Sequence, residues 1–204
     1  MKDALLKYDE NYRDKGFISL AGVDEAGRGP LAGPVVASAV IVRDFSFTSR
    51  VDDSKKMTAR QREAAFGEIR EKCWVGTGIV GPRLIDSLNI LEATMLAMEK
   101  AVAALSKRPD CVLIDGNRLP QLGIRKFAVV NGDALSFSIA CASVVAKVTR
   151  DELMREADKK YPLYGFAKHK GYGTKLHIER LREHGPCDIH RTSFEPVRLS
   201  WKRS

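Results

Sequence analysis

An α/β layer fold is what this sequence predicts, and three observations carry the prediction. Two apolar, β-branched segments, Leu20–Val23 and Val35–Val42, flank a turn rich in glycine and proline from Gly27 to Pro34, the pattern of paired strands. Leu88, Leu91, Met95, Met98, Val102 and Leu105 recur at spacings of 3, 4, 3, 4 and 3, which is one face of a helix. Strands come first, and strand-like and helical segments then alternate, as in a layered α/β chain.

In order along the chain, the first sixteen residues (1–16) form a polar segment whose only apolar run is Ala4-Leu5-Leu6, too little for a signal peptide. After the two strands, Met57–Lys72 reads as a charged surface helix and Trp74–Val80 as a third strand. The helix carrying Met95 and Met98 has Asn89 and Glu92 as a cap pair, and both methionines read as core. Cys111–Ile114 and Phe127–Val130 are short apolar strands. Ala134 to Lys160 is a long helix in which Ser138, Ala140, Cys141, Ala142 and Ser143 permit close packing.

The 204 residues, 44% hydrophobic and 29% charged, suit one globular domain and exclude a disordered or fibrous chain. Leu31–Val42 carries no charge but includes Gly33 and Pro34 and falls short of the about 20 residues of a spanning helix. The four cysteines are widely spaced without a C-x-x-C pair, so reduced thiols in a cytoplasmic protein are expected. Net charge is +8, of which +6 falls in residues 147–204. That region is the expected electrostatic face for a polyanion, although a solvated basic surface would have the same composition.

Four acids stand where strands end. Asp24 and Glu25 close the run Leu20–Val23, Asp115 closes Cys111–Ile114, and Asp133 follows Gly132 just before the long helix. Consecutive strand residues face opposite ways, so Asp24 and Glu25 share a site only if the strand breaks at Glu25 and swings that carboxylate, or a backbone carbonyl, toward Asp24. Asp133 alone also reads as a helix N-cap, and Asp115 as a turn aspartate. Together, carboxylates at neighbouring strand ends repel unless a cation lies among them. With no histidine or cysteine pattern beside them, the all-oxygen set favours Mg²⁺ or Mn²⁺ and points to two-metal phosphodiester chemistry. His184, Cys187 and His190 lack a second ligand pair for zinc, and neither glycine-rich stretch has the order of a nucleotide-binding loop.

The run Gly22-Val23-Asp24-Glu25-Ala26-Gly27-Arg28-Gly29-Pro30-Leu31-Ala32-Gly33-Pro34 resembles the signature of bacterial type 2 ribonucleases H. The resemblance continues in order through Asp53–Lys56, Leu113–Gly116, Gly132-Asp133, Ala142–Asp151, His169–Thr174 and His190–Phe194, covering residues 17–197 and leaving 198–204 as a short tail. It implies a ribonuclease H-like fold, a five-stranded mixed sheet with flanking helices and a basic C-terminal helical region. It also implies an endoribonuclease that cuts the RNA strand of RNA–DNA hybrids and incises 5′ to single ribonucleotides in duplex DNA, leaving 3′-hydroxyl and 5′-phosphate ends. The family's roles are in ribonucleotide removal from DNA and in RNA primer removal.

Carried over by position, Asp24, Glu25, Asp115 and Asp133 would be the catalytic metal-binding carboxylates for two Mg²⁺ or Mn²⁺ ions. Gly27, Arg28 and Gly29 would read the ribose 2′-hydroxyl, Tyr172 would pack on the next sugar, and Ser54, Lys55 and Lys56 would meet phosphates. Taken without the resemblance, the glycines are also a simple turn and Tyr172 a surface anchor. Lys147, Lys168, His169 and Lys170 are candidates for extending the phosphate track. Asn131 stands where the resemblance leads one to expect lysine. The expectation is a cytoplasmic monomer, with recruitment by a sliding clamp undecided. The related type 3 enzymes carry an added N-terminal domain that sixteen polar residues would not supply.

Overall fold

The computed structural model describes residues 2–201. In chain order these form α1 (Lys2–Arg13), β1 (Leu20–Ala26), β2 (Val35–Val42), a 3-10 turn at Ser54–Lys56, α2 (Ala59–Lys72) and β3 (Cys73–Val80). Then follow α3 (Pro82–Leu88), α4 (Ile90–Ala103), β4 (Cys111–Asp115), β5 (Arg125–Val129) and a second 3-10 turn at Gly132–Ala134. The long helix α5 (Phe137–Lys160) leads to α6 (Phe166–His169), α7 (Lys175–His184) and α8 (Glu195–Trp201). Residues 202–204 of the expected tail lie outside the described residues.

The strands make one mixed sheet in the order β3-β2-β1-β4-β5. β1, β2 and β3 are antiparallel neighbours, whereas β1, β4 and β5 run parallel. A parallel neighbour needs a long crossover, and α3 and α4 supply the one into β4. Side-chain alternation divides the core into two layers. Ala21, Val23, Ala39, Val112 and Ile114 pack with Met98 and Val102 of α4. On the other face Val40 and Val42 meet α2 and α5, and Leu20, Cys111 and Leu113 meet Ile139 of α5.

The helix expected across 88–105 is divided. Asn89, at φ 74°, separates α3 from α4, and its side-chain oxygen accepts from the N–H groups of Leu91 and Glu92 at 2.9 and 3.1 Å. Leu88 therefore lies in α3, and Glu92 contributes only its backbone to the cap. The buried face of α4 is Ala93, Ala97, Met98, Ala101 and Val102, with Leu91 and Met95 half-buried at its rim. Close approach explains the shift: a Cβ at Gly78 of β3 would lie 2.0 Å from the Ala97 carbonyl oxygen. Alanines, not leucines, let the helix sit that low on the sheet.

The polar N-terminal segment packs on the domain rather than flanking it. Leu5 is buried, and fully buried Asp9 accepts from the Ser136 hydroxyl at 2.5 Å and the Ser138 N–H at 2.9 Å. With Ser136 as N-cap, Asp9 satisfies the start of α5. The N-cap reading of Asp133 is thereby replaced: Asp133 sits in the turn before the helix, and its carboxylate is available elsewhere. No described helix is long and apolar enough to cross a membrane, and the four cysteines are unpaired thiols.

Candidate active site

The parallel register of β1 and β4 builds the centre of the site. Gly22 pairs with Leu113 and Val23 with Ile114, so Asp24 and Asp115 come next, side by side. Counting in twos from Leu20 and Leu113 puts both aspartates on the α5 face of the sheet. The turn into α5 brings Asp133 to the same place. One carboxylate oxygen from each of Asp24, Asp115 and Asp133 lies within 4.8 Å of the others.

Glu25 does not join this group. β1 continues regularly through Ala26, with Glu25 opposite Ala37 of β2, so the expected break at Glu25 is absent. Its carboxylate lines the same cavity as Asp24 and Asp115 but turns to Arg28, at 3.3 Å. Its own N–H donates to Asp24 at 2.7 Å.

The aspartates are electrostatically uncomfortable. Burial, then the charges of Glu25 and Asp115, push Asp24 well above the ordinary carboxylate range, against a hydrogen bond from Ser143. Burial also raises Asp133, helped by Asp115 and Asp53 and opposed by Lys55, whose ammonium lies 3.4 Å away. Glu25 is raised by burial and relieved chiefly by Arg28. Asp115 accepts the Gly132 N–H at 2.6 Å. Three crowded carboxylate oxygens, two of them on buried residues, form a hard-oxygen set that fits a divalent cation such as Mg²⁺ or Mn²⁺.

A cavity of about 270 Å³ opens beside them. Nine of the ten residues selected from sequence line it, and the tenth, Asp133, is in the aspartate group. The far wall is the loop Gly27–Gly29 with Tyr172, which is 45% exposed. Gly27 is at φ 95°, and a Cβ there would fall 2.0 Å from Nε of Arg150, so only glycine fits. Ser54 shares a 2.9 Å hydrogen bond with Ser143, tying the Ser54–Lys56 turn to the helix behind Asp24. Lys56 pairs with Asp53 at 3.8 Å.

The extended phosphate track is only partly present. Lys147 lines the cavity, held by Asp151 at 2.7 Å, and Lys168 is exposed. His169 instead is buried and bonds the Tyr164 carbonyl and the Gly171 N–H. Lys170 is half-buried and caps the Ala167 carbonyl. Buried histidines continue beneath Tyr172. The Tyr172 carbonyl can only accept, so Nδ1 of His177 at 2.9 Å carries the proton. Nε2 of His177 then accepts from Nε2 of His190 at 3.0 Å, and Nδ1 of His190 accepts the Cys187 N–H at 2.9 Å. This is a set of neutral rings occupied with structure, and the Cys187–His190 pair belongs to it.

Sequence reasoning missed Ser143, read as packing, and gave no role to Arg150 or Arg191. Both arginines are fully buried and bond backbone carbonyls of the glycine-rich loop. The available signal was that each sits inside a segment of the resemblance, but the partners are more than a hundred residues away.

A mixed five-stranded sheet with acids gathered at the ends of its parallel strands defines the ribonuclease H-like class. Its solved relatives include the ribonuclease H2 of Pyrococcus horikoshii OT3, similar at a TM-score of 0.78 and 26% identity over 91% of this chain and 98% of that one. A family model described as Ribonuclease HII matches residues 21–203. Ribonuclease HII of Acetivibrio thermocellus is 53% identical over 92% of this chain and 73% of its own length. That of Caldicellulosiruptor bescii is 50% identical over 93% and 96%. The chain belongs to the Ribonuclease HII family, and so to the ribonuclease H hydrolases.

Proposed function

We propose that this protein is a divalent-metal-dependent endoribonuclease. It hydrolyses the RNA strand of RNA–DNA hybrids and incises 5′ to single ribonucleotides in duplex DNA, leaving 3′-hydroxyl and 5′-phosphate ends. The observation that carries this is the placement of three aspartates at one end of a cavity whose other end is the Gly27–Gly29 loop and Tyr172. A divalent cation in such a site supplies a Lewis acid for phosphodiester cleavage, and two Mg²⁺ or Mn²⁺ ions are part of the proposal.

Asp24, Asp115 and Asp133 would hold the cations together with Glu25, which lines the same cavity. The backbone of Gly27, Arg28 and Gly29 meets the ribose 2′-hydroxyl, which is what separates RNA from DNA at one nucleotide. Tyr172 offers its ring to the neighbouring sugar. Lys55 and Ser54 position the backbone phosphate, Lys55 as a point charge. The protein acts as a cytoplasmic monomer in this reading, on RNA primers and ribonucleotides left in DNA.

The test is cleavage of a labelled DNA duplex containing one ribonucleotide, in Mg²⁺, Mn²⁺ or EDTA, beside an all-DNA control. The expected result is a metal-dependent nick 5′ to the ribonucleotide and no cut in the control. Tight binding without a nick would replace the reading by a silent hybrid-binding module. Cleavage only of stretches of several ribonucleotides would remove the single-ribonucleotide part.

A further inference from the structure

Arg191 is fully buried, and each of its three side-chain nitrogens donates to a backbone carbonyl of one loop. Nη2 meets Gly27 at 2.6 Å, Nη1 meets Arg28 at 2.8 Å and Nε meets Gly33 at 3.0 Å. Arg150, equally buried, takes the carbonyls of Pro34, Ala32 and Lys170 at 2.9, 3.1 and 3.0 Å. Burying two cations against neutral acceptors alone is costly, far more so than closing a turn requires.

The peptide plane explains what this arrangement achieves. In a trans peptide the C=O and the following N–H point in opposite directions. With the Gly27 and Arg28 carbonyls turned inward onto one guanidinium, the N–H groups of Arg28 and Gly29 are turned outward. Both residues line the cavity, and neither N–H has a hydrogen-bond partner among the described residues. The planar fork of arginine holds two adjacent carbonyls at once, which an ammonium cannot do with the same geometry. Asp86 secures the turn that carries Arg191, accepting from Thr192 and Ser193 through four hydrogen bonds of 2.5–3.0 Å.

We propose that Arg191 is a positioning residue: its guanidinium aims the Arg28 and Gly29 N–H groups into the cavity as a preset pair of donors for the ribose hydroxyl, with Arg150 bracing the rest of the loop. The inference rests on the function proposed above and adds the residue that creates its specificity. Selectivity for a ribonucleotide is then a property of buried Arg191 as much as of the loop that touches the substrate.

The test compares the wild type with Arg191→Lys and Arg191→Gln, each normalised to active sites and checked for an unchanged melting profile in circular dichroism. KM is measured for the single-ribonucleotide duplex, and Ki for the all-DNA duplex as competitor in the same assay. Two neutral hydrogen bonds to the hydroxyl correspond to a preference of about tenfold. The expected result is a Ki/KM ratio that falls at least about fivefold in Arg191→Lys, with Mn²⁺ affinity unchanged. A merely structural role lowers the active fraction and leaves the ratio within about twofold of wild type, which would overturn the proposal. So would a wild type that nicks the ribonucleotide duplex yet binds both duplexes equally. Should Arg191→Gln fail to fold, Arg191→Lys and Asp86→Asn carry the same comparison. Absence of any metal-dependent nick by the wild type is a different failure, that of the proposed function.

Discussion

At one wall of the cavity Asp24 and Asp115 crowd with Asp133 within 4.8 Å, and Asp24 and Asp133 are both raised by burial and by the charge of Asp115. On the opposite wall two buried arginines take six backbone carbonyls and a chain of neutral histidines takes that of Tyr172, in the loops that carry Gly27 and Tyr172. Burial is similar on both sides, but its consequences differ. The acidic wall stores repulsion that a cation relieves, so its residues serve binding at the expense of stability. On the basic wall the buried arginines and histidines are hydrogen-bonded, so they serve stability and shape together.

The largest expected effect comes from removing one charge of the acidic wall. Asp24→Asn should lower turnover by at least about 10³-fold, the several kcal/mol that metal-held charge contributes to a transition state. The same substitution should raise the melting temperature of the metal-free protein, because the repulsion among Asp24, Glu25 and Asp115 is relieved. Activity assays in Mg²⁺ and thermal melts in EDTA check both halves. A variant that loses activity and stability together would erase the distinction between the walls.

Acid sensitivity is the next largest effect, and it belongs to the opposite wall. Burial holds His177 and His190 down to about 4 from an ordinary value near 6.5. The unfolded chain therefore binds protons between pH 6.5 and 4 that the folded chain refuses. Their contribution is fully present above pH 6.5 and is lost as pH falls toward 4, by about 3 kcal/mol apiece at most. His190→Gln keeps a donor near His177 and should remove up to about 1.4 kcal/mol per pH unit of that slope. Urea melts between pH 4 and 7 measure it. Raised Asp9 and Asp24 oppose the trend, since they gain by protonating as pH falls, so the difference between wild type and variant is the informative quantity.

A metal titration then compares the walls in one experiment. Mg²⁺ or Mn²⁺ at ten times its dissociation constant should stabilise the folded chain by about 1.4 kcal/mol. Thermal melts should show the shift in the wild type and in His190→Gln, and lose it in Asp24→Asn. A shift that survives Asp24→Asn would move the cation away from the aspartates.

The two walls were unequally legible in the sequence. Short-range features read well: β2 falls at Val35–Val42 as its β-branched run indicates, and the aspartates stand at strand ends because the apolar runs stop there. The end of β1 was less legible: the glycine-rich turn suggests a break at Glu25, whereas pairing with Ala37 keeps the strand regular to Ala26. The face of α4 was misjudged because leucines mark apolarity but not proximity, and Gly78 was the informative residue. The basic wall was the least legible. Arg191 reaches Gly27 across 164 residues, and Asp9 reaches Ser136 across 127. Neither contact leaves any local pattern, since a buried arginine and a solvated one look alike in a string of letters.

The smallest effect is at Asn131, on the edge of the acidic wall. It adopts the left-handed conformation at φ 56° just before Gly132, whose N–H holds Asp115. Asparagine tolerates that backbone better than lysine does, because its short amide bonds locally and crowds the carbonyl less. Asn131→Lys should therefore cost about 1 kcal/mol of stability, readable as a drop of a few degrees in a thermal melt. If a phosphate contact is what the position lacks, the same variant should also lower KM for the ribonucleotide duplex, with a steeper salt dependence. Lower stability with tighter substrate binding would extend the rule of the acidic wall, where function is gained against stability, to a residue that holds no cation. Lower stability with unchanged KM would confine the rule to the aspartates themselves.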